Sequence, residues 1–587
     1  MKKLIIMITL AILIAGCKTV FMTTQKEIKL KIIETTDVHG AIFPKDLINQ
    51  KISEGSLAQV YTYVTEQRED KSQEVILIDN GDILQGTPLV YYYNFEVPDS
   101  IHLLSKVMNF MAYDVATIGN HDIEAGHPVY DKFRKEVNFD ILAANAINDF
   151  DEKPYFKPYK IIERQGVKIA ILGLITPAIP NWLPRNIWSG MHFNDMIESA
   201  KYWKNYIEEN EKPDLLIGLF HSGTNPSYGG ADPKAKFNEN ACLLVAEKVP
   251  GFDIIFAGHD HQFANFFIRN SNGDSTLILN PSAHATNVGV ADICMKYDKV
   301  KKKYNVDIKG SIQPMEAIKP DSLFQYKFNV SLYNVEKYVN RPIGKLQNNI
   351  DSKDALFGSS EFVDLVHIVQ LNLSKADISF ASPFSISVKI DSGQLYVRDM
   401  FKLYRYENFL YTMRLTGQEV KDALEYSYGN WLSTMADEKS SILLCKRDSL
   451  GQDILSSNGK VNLENPFYNF DSGAGIIYEV DIRKEVGKRI SILSMADGSA
   501  FDLKKDYSVA MNSYRGNGGG NILTKGAGIS SEELSKRLIV SSDLDFRFLI
   551  MKWIEEQKSF KANKLNSWKI VPENWAQKGK EKYLFGL

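Results

Sequence analysis

The chain has 587 residues, 44% apolar and 24% charged, and its 69 basic and 72 acidic side chains leave a formal charge of −3. At about 150 residues per domain this length exceeds one hydrophobic core, so at least two large domains are expected. The near-balanced charge supplies no electrostatic drive toward nucleic acid or an anionic membrane surface, so a substrate has to be recognised locally.

Residues 1–17, MKKLIIMITLAILIAGC, carry two lysines, an apolar run and small residues before a cysteine, the layout of an export signal. The run is too short to favour a membrane span. Its end, Ile14-Ala15-Gly16-Cys17, resembles the lipobox of bacterial lipoproteins, which implies cleavage before Cys17 and lipid on its sulfur. Acyl chains buried at about 0.8 kcal/mol per CH₂ would then hold the body at a membrane, outside the cytoplasm. The outer membrane is the expected location, facing the periplasm or the cell surface. The remaining cysteines, Cys242, Cys294 and Cys445, fit neither a disulfide framework nor a zinc-thiolate pattern. They read as small buried groups, with one disulfide left open.

From residue 28 to 310 short apolar runs recur, each ending in polar residues, with helical stretches between them: IKLKIIETT, VILIDN, VATIGN, IAILGL, LLIGLF, DIIFAG and TLILN. This alternation predicts a layered α/β domain. A linker over residues 311–343 holds a predicted helix at Asp321–Val339, followed by Pro342 and Gly344, and reads as a hinge. Residues 344–555 mix strands and helices as an α+β domain, and 556–587 read as a surface-packed tail.

The residues directly behind the apolar runs of the first half are potential metal ligands: Asp37 and His39, Asp82, Asn120 with His121, His221, and His259 with His261. Five of the ten histidines fall there. Loops at the carboxyl ends of parallel strands meet on one edge of a sheet, whatever their distance in sequence. Mixed Asp, Asn and His donors suit Mn²⁺, Zn²⁺, Fe²⁺ or Co²⁺, whereas Ca²⁺ would want oxygen alone. The donors are too many for one tetrahedral site, and two divalent ions about 3.5–4 Å apart with a bridging carboxylate would use them. Each pair alone is an ordinary turn; five such turns in series point to a shared site.

DVHG, DNGD, GNHD, the His221 segment and GHDH resemble the ordered motifs of calcineurin-like metallophosphoesterases. GDILQGT, IAILGLITP and GFDIIFAGHDH are similar to the branch containing 5′-nucleotidases and 2′,3′-cyclic-nucleotide phosphodiesterases. The resemblance implies a sandwich flanked by helices, with Asp37, His39, Asp82 and His261 around one ion. Asp82 would bridge to a second ion held by Asn120, His221 and His259. His261 departs from the glutamine common in the nucleotidases, which would favour softer borderline metals. The same resemblance makes His121 the group that assists the leaving oxygen and Glu124 its orienting partner; Asp122 reads as a helix cap. A hydroxide between the metals would attack phosphorus in line, without a phosphoenzyme.

In the second half, YNFDSGAG and NSYRGNGGGN place glycines around aromatic residues and an arginine, and no nucleotide P-loop is present. Both segments resemble base-binding parts of the 5′-nucleotidase carboxyl-terminal domain, closer to the cyclic-phosphodiesterase/3′-nucleotidase branch. That implies a base held between Tyr514 and Tyr468, with Phe470 in reserve and Asn512 and Arg515 beside it. Stacking of this kind contributes about 1–3 kcal/mol per base. LYRYENF adds Arg405 and Asn408, which reach substrate or serve as a salt bridge and a turn amide. The expected protein is an exported, lipid-anchored nucleotide phosphohydrolase, monomeric and without a nucleic-acid partner. A 5′-nucleotidase or UDP-sugar pyrophosphatase is the alternative, and a non-catalytic nucleotide-capturing lipoprotein the alternative from another class.

Overall fold

A computed structural model describes residues 27–228, 232–300, 302–454 and 462–585, so the signal segment and Cys17 lie outside the described residues. The strands of the first domain are β1 (Glu27–Thr35), β2 (Glu74–Asp79), β3 (Val115–Thr117), β4 (Asp140–Leu142), β5 (Ala146–Asn148), β6 (Tyr159–Arg164) and β7 (Val167–Ile175). They continue as β8 (Met191–Phe193), β9 (Leu215–His221), β10 (Ile254–Ala257), β11 (Phe263–Arg269), β12 (Ser275–Pro281), β13 (Asn287–Asp298) and β14 (Lys303–Pro314). Two six-stranded sheets result, in the orders β14-β13-β1-β2-β3-β4 and β11-β12-β10-β9-β7-β6. Strands β1 to β4 run parallel, as do β7, β9, β10 and β12, with antiparallel strands at the sheet margins.

The near-continuous apolar character of these strands follows from burial on both faces. Strand β1 illustrates the rule: its Ile28, Leu30 and Ile32 share one core with Leu215, Ile217 and Leu219 of β9 between the sheets, while Ile33 points outward beneath helices. Leu57–Glu69, Leu103–Met111 and Ser322–Val339 cover the first sheet, and Met196–Asn210 and Cys242–Lys248 cover the second. The helix Ser322–Val339, expected as a hinge, is therefore fixed to the first domain by Phe324, Phe328, Val335 and Val339.

The second domain is built on a five-stranded sheet ordered Ser472–Ala474, Ile378–Ala381, Asp506–Asn512, Phe409–Thr416, Leu538–Asp545. Its two faces carry separate cores, one around Trp431, Phe470 and Val509 and the other around Phe362, Leu403 and Ala510. The expected tail does more than pack on the surface. Ser559–Phe560 pairs with Pro342–Leu346 and Trp568–Val571 with Ile476–Asp481, burying Trp568 and Ile570. The tail's apolar residues are too few to read as strands until the partner strands are in view.

Cys242, Cys294 and Cys445 are free. Cys294 is half-exposed rather than buried, and its Sγ donates to Glu27 Oε1 at the start of β1 (2.8 Å). Among the described residues no helix is long and apolar enough to cross a membrane.

Candidate active site

The carboxyl ends of β1, β2, β3, β9 and β10 converge at one end of the sandwich, because all five run in the same sense within their sheets. The turns there are unusual. Asp37, His39, Asp82, His259 and His261 all have left-handed backbones, with φ of 49°, 48°, 59°, 72° and 54°. A left-handed residue other than glycine costs about 1–2 kcal/mol, and such residues gather where side-chain direction matters more than local comfort. Main-chain bonds lock the turns together: Asp37 N donates to Gly81 O and His39 N to Asp82 O, both at 2.9 Å.

Two donor groups result. In the first, His39 Nε2 lies 3.1 Å from His261 Nε2, which lies 3.3 Å from Asp37 Oδ1. In the second, His221 Nε2 is 3.1 Å from both Asp82 Oδ2 and Asn120 Oδ1, and His259 Nδ1 is 2.7 Å from Asn120 Oδ1. Within each group the His and carboxylate ligand atoms lie within 4.8 Å of one another. Asp82 Oδ2 is buried without a hydrogen bond, despite His221 beside it. A carboxylate oxygen left so, among imidazole nitrogens facing each other, fits a divalent cation better than it fits water or protein donors.

Outer atoms hold these rings in place: His39 Nδ1 lies 3.2 Å from Gln85 O, His221 Nδ1 2.6 Å from Asn80 O and His259 Nε2 2.9 Å from Glu239 Oε1. Burial would neutralise His221, yet Asp82 beside it pushes its pKa up to about 9. Burial likewise opposes charge on Asp37 and Asp82, and neighbouring imidazoles hold both low, Asp37 by His261 and Asp82 by His221 and His121. His39 is driven well below the ordinary histidine value by burial and by the His261 imidazole beside it.

His121 stands on the short helix Asn120–Glu124, with its main-chain N donating to Asp82 Oδ1 (2.8 Å) and its Nδ1 paired with Glu124 Oε2. Burial opposes protonation there, but Asp82 and Glu124 push the imidazole up to about 10. Asp122 does cap that helix, accepting from Gly119 N at 2.8 Å. It also accepts from the main-chain N–H groups of Asp82, Ile83 and Leu84 at 2.8–2.9 Å, so one buried carboxylate ties the β3 turn to the β2 turn.

A cavity of about 1290 Å³ runs from His39, Asn120, His121, His259 and His261 to Arg405, Asn408, Tyr468 and Tyr514 of the second domain. Tyr406 also lines it, edge-on to Tyr468 at 6.3 Å. Three predicted substrate residues are elsewhere. Phe470 is fully buried, stacked on Trp431 at 5.2 Å and 8°, and belongs to the core. Arg515 is 1% exposed and grips Asp471 through Nε (2.6 Å) and Nη2 (2.8 Å). Asn512 accepts from Arg515 N at 2.7 Å, capping the turn that follows its strand. The glycine run wraps this arginine, whose Nη1 donates to Gly519 O. A side chain at Gly519 would come within 2.5 Å of the Tyr514 ring, so the glycine seats that ring.

Sequence reasoning passed over Trp182, which stacks on His259 (5.5 Å, 23°), and His284, with φ of 61° and its ring 5.4 Å from His39. It also passed over Glu239 on His259. An isolated tryptophan or glutamate in a loop gives no signal by itself; His284, behind the TLILN strand, could have been taken with the other strand-end histidines. The domains touch beside the cavity, where Asn517 Nδ2 donates to Trp182 O (3.3 Å) and Tyr91 Oη to Asp545 Oδ2 (3.0 Å).

Residues 30–263 match the calcineurin-like phosphoesterase family and residues 342–525 the 5′-nucleotidase C-terminal domain. The chain is 27% identical to the trifunctional nucleotide phosphoesterase protein YfkN of Bacillus subtilis over 93% of its own length, and spans 39% of that relative. It is 26% identical to a Salmonella typhimurium 2′,3′-cyclic-nucleotide 2′-phosphodiesterase/3′-nucleotidase, covering 93% of this chain and 89% of the relative. The solved 5′-nucleotidase precursor of Thermus thermophilus is similar in fold, with a TM-score of 0.62 at 19% identity, covering 93% of this chain and all of that one (100%).

Proposed function

We propose that this chain, which matches the calcineurin-like phosphoesterase family, one that implies divalent metal ions, and the 5′-nucleotidase C-terminal domain, is an exported nucleotide phosphohydrolase that opens 2′,3′-cyclic nucleotides and then releases phosphate from nucleoside monophosphates. The observation that carries this reading is the single cavity linking both donor groups to Tyr468 and Tyr514.

Asp37, His39, Asp82 and His261 would hold one divalent ion, and Asp82, Asn120, His221 and His259 a second. When bound, such ions supply Lewis-acid activation of water and of the phosphoryl oxygens. Asp122 keeps the Asp82 turn in place for this. Tyr468 and Tyr514 stack the base, and Arg405 and Asn408 face the cavity where sugar or phosphate would lie. Water gives up a proton to solvent and its oxygen bonds to phosphorus as the ester P–O bond breaks, while the protonated His121 passes its proton to the departing oxygen and regains one from solvent. Glu124 holds the His121 Nδ1–H, leaving Nε2 for that transfer. Lipid on Cys17 would place this activity outside the cytoplasm, at a bacterial membrane, and loss of membrane association in Cys17→Ser cells would support that placement.

The test is hydrolysis of 2′,3′-cyclic AMP, 3′-AMP and 5′-AMP by purified protein with Mn²⁺, beside an Asp82→Asn control. Metal-dependent turnover of the first two, abolished in the control, is expected. A 5′-AMP rate far above the others would move the reading to a 5′-nucleotidase, and full activity in the control would sink the metal assignment. Tight nucleotide binding without any turnover would favour a capture protein.

A further inference from the structure

The imidazoles of the two donor groups are not held alike. His39 and His221 each rest an outer nitrogen on a main-chain carbonyl, Gln85 O at 3.2 Å and Asn80 O at 2.6 Å, and present Nε2 to the site. His259 is reversed, presenting Nδ1 to Asn120 Oδ1 (2.7 Å) and placing Nε2 2.9 Å from a side-chain carboxylate, Glu239 Oε1. An ionised carboxylate only accepts, so the hydrogen of a neutral ring sits on Nε2 and the Nδ1 lone pair is free for the site.

The other contacts of this ring do not fix that choice. Trp182 covers its flat face at 5.5 Å and 23°. A half-turn of the imidazole about its Cβ–Cγ bond would keep that stacking while exchanging Nδ1 for a carbon. Of the ring's described contacts, only the polar groups at its edges penalise the flip, and on the outer edge that group is Glu239.

Glu239 is itself held in a rigid turn. Its carbonyl accepts from Ser222 Oγ (2.7 Å), the residue after His221, and the same Oγ accepts from Ala241 N (2.8 Å). Asn240 N donates to Asn238 Oδ1 (2.8 Å), and Asn238 is buried. The segment after β9 thus carries a carboxylate back onto the histidine that follows β10.

We propose that Glu239 is a positioning residue for the second metal site, fixing the tautomer and ring direction of His259 so that Nδ1 serves as the ligand atom. This rests on the reading of the site as a two-metal centre. Outer carboxylates on ligand histidines typically change metal affinity by about 10–100-fold when removed, because they set both ring direction and basicity.

Calorimetric titration of metal-free protein with Mn²⁺ reads this without turnover. Wild type should take two equivalents. Glu239→Ala should weaken one of them about 10–100-fold and leave the other unchanged. Glu239→Gln, which keeps an acceptor oxygen but not the charge, should lose less. Melting of the metal-free proteins provides the folding control, with all three expected to coincide. Two equivalents of wild-type affinity in Glu239→Ala, equal weakening of both, or a Gln variant as impaired as Ala would overturn the proposal. Failure of the wild type to bind Mn²⁺ would instead overturn the two-metal reading, and this inference with it.

Discussion

Both domains place polar, turn-rich segments behind buried strands, but they spend those side chains differently. Behind β1, β2 and β10 the backbone is bent into left-handed turns, and together with the segments behind β3 and β9 these gather carboxylates and imidazoles around one point. Behind Asp506–Asn512 the arginine and asparagine turn inward, tying down their own loop and leaving Tyr514 at the cavity. In the first domain the polar residues line the cavity and a neighbouring carboxylate, Asp122, is the frame. In the second, the polar residues are the frame and the ring lines the cavity. A charged side chain in a glycine-rich loop is therefore ambiguous until its burial and partners are known.

The largest effect should come from His121→Ala, lowering turnover about 10²–10⁴-fold, as expected for loss of a proton donor, while Mn²⁺ stoichiometry by elemental analysis stays at wild type. Loss of metal in that variant would put His121 among the ligands and blur the separation between donors and acid. Next, Phe470→Ala should destabilise the second domain by about 3–5 kcal/mol in denaturant unfolding, because it empties a place stacked on Trp431, and leave KM of the folded fraction unchanged. A raised KM with unaltered stability would restore Phe470 to the base site.

The third prediction concerns what the domains share. His102 in the first and His367 in the second are fully buried and neutral, burial pushing each down to about 3. His102 accepts from Leu104 N at Nδ1 (3.1 Å), and His367 lies between Ser379 Oγ (2.9 Å) and Ser472 Oγ (3.1 Å). Both folded values lie below the unfolded value of about 6.5, so only the unfolded chain takes up these protons between the two. Their contribution is full above about pH 6.5 and is lost as pH falls toward 3. Calorimetric scans from neutral pH to pH 4 should show both domains melting earlier, with His367→Gln flattening the response of the second alone. The smallest effect belongs to Tyr514→Ala, where loss of about 1–3 kcal/mol of stacking should raise KM by up to about a hundredfold at unchanged melting temperature.

Legibility in the sequence followed the same division. Metal-ligand types are rare, and their recurrence at strand ends was visible because strand topology brings such ends together wherever they lie in the chain. The layered α/β character of the first domain was visible for a related reason, since strands buried on both faces read as continuous apolar runs, whereas the sandwich itself came only with the family resemblance. The second domain's residues were harder to sort because Phe470, Tyr468 and Tyr514 are chemically alike, and only packing separates a core ring from a cavity ring. Glu239 and Trp182 gave no sign, since their partner His259 lies in a different loop. The strand at Trp568–Val571 was missed because its pairing partner lies about ninety residues earlier.

That late strand bears on synthesis. The sandwich of the first domain is complete once β14 has emerged, whereas the sheet formed by Ile476–Asp481 and Ile490–Met495 waits for Trp568–Val571 before its second edge is covered. Domains made early fold while later ones are still being translated. The metal-ligand turns can therefore take shape on the growing chain, while the domain that presents Tyr468 and Tyr514 stays unfinished until some two hundred and fifty residues later, measured from Pro314 to Val571. A ribosome stalled between those points would carry the donor turns of the first domain without the cavity wall that Tyr468 and Tyr514 supply.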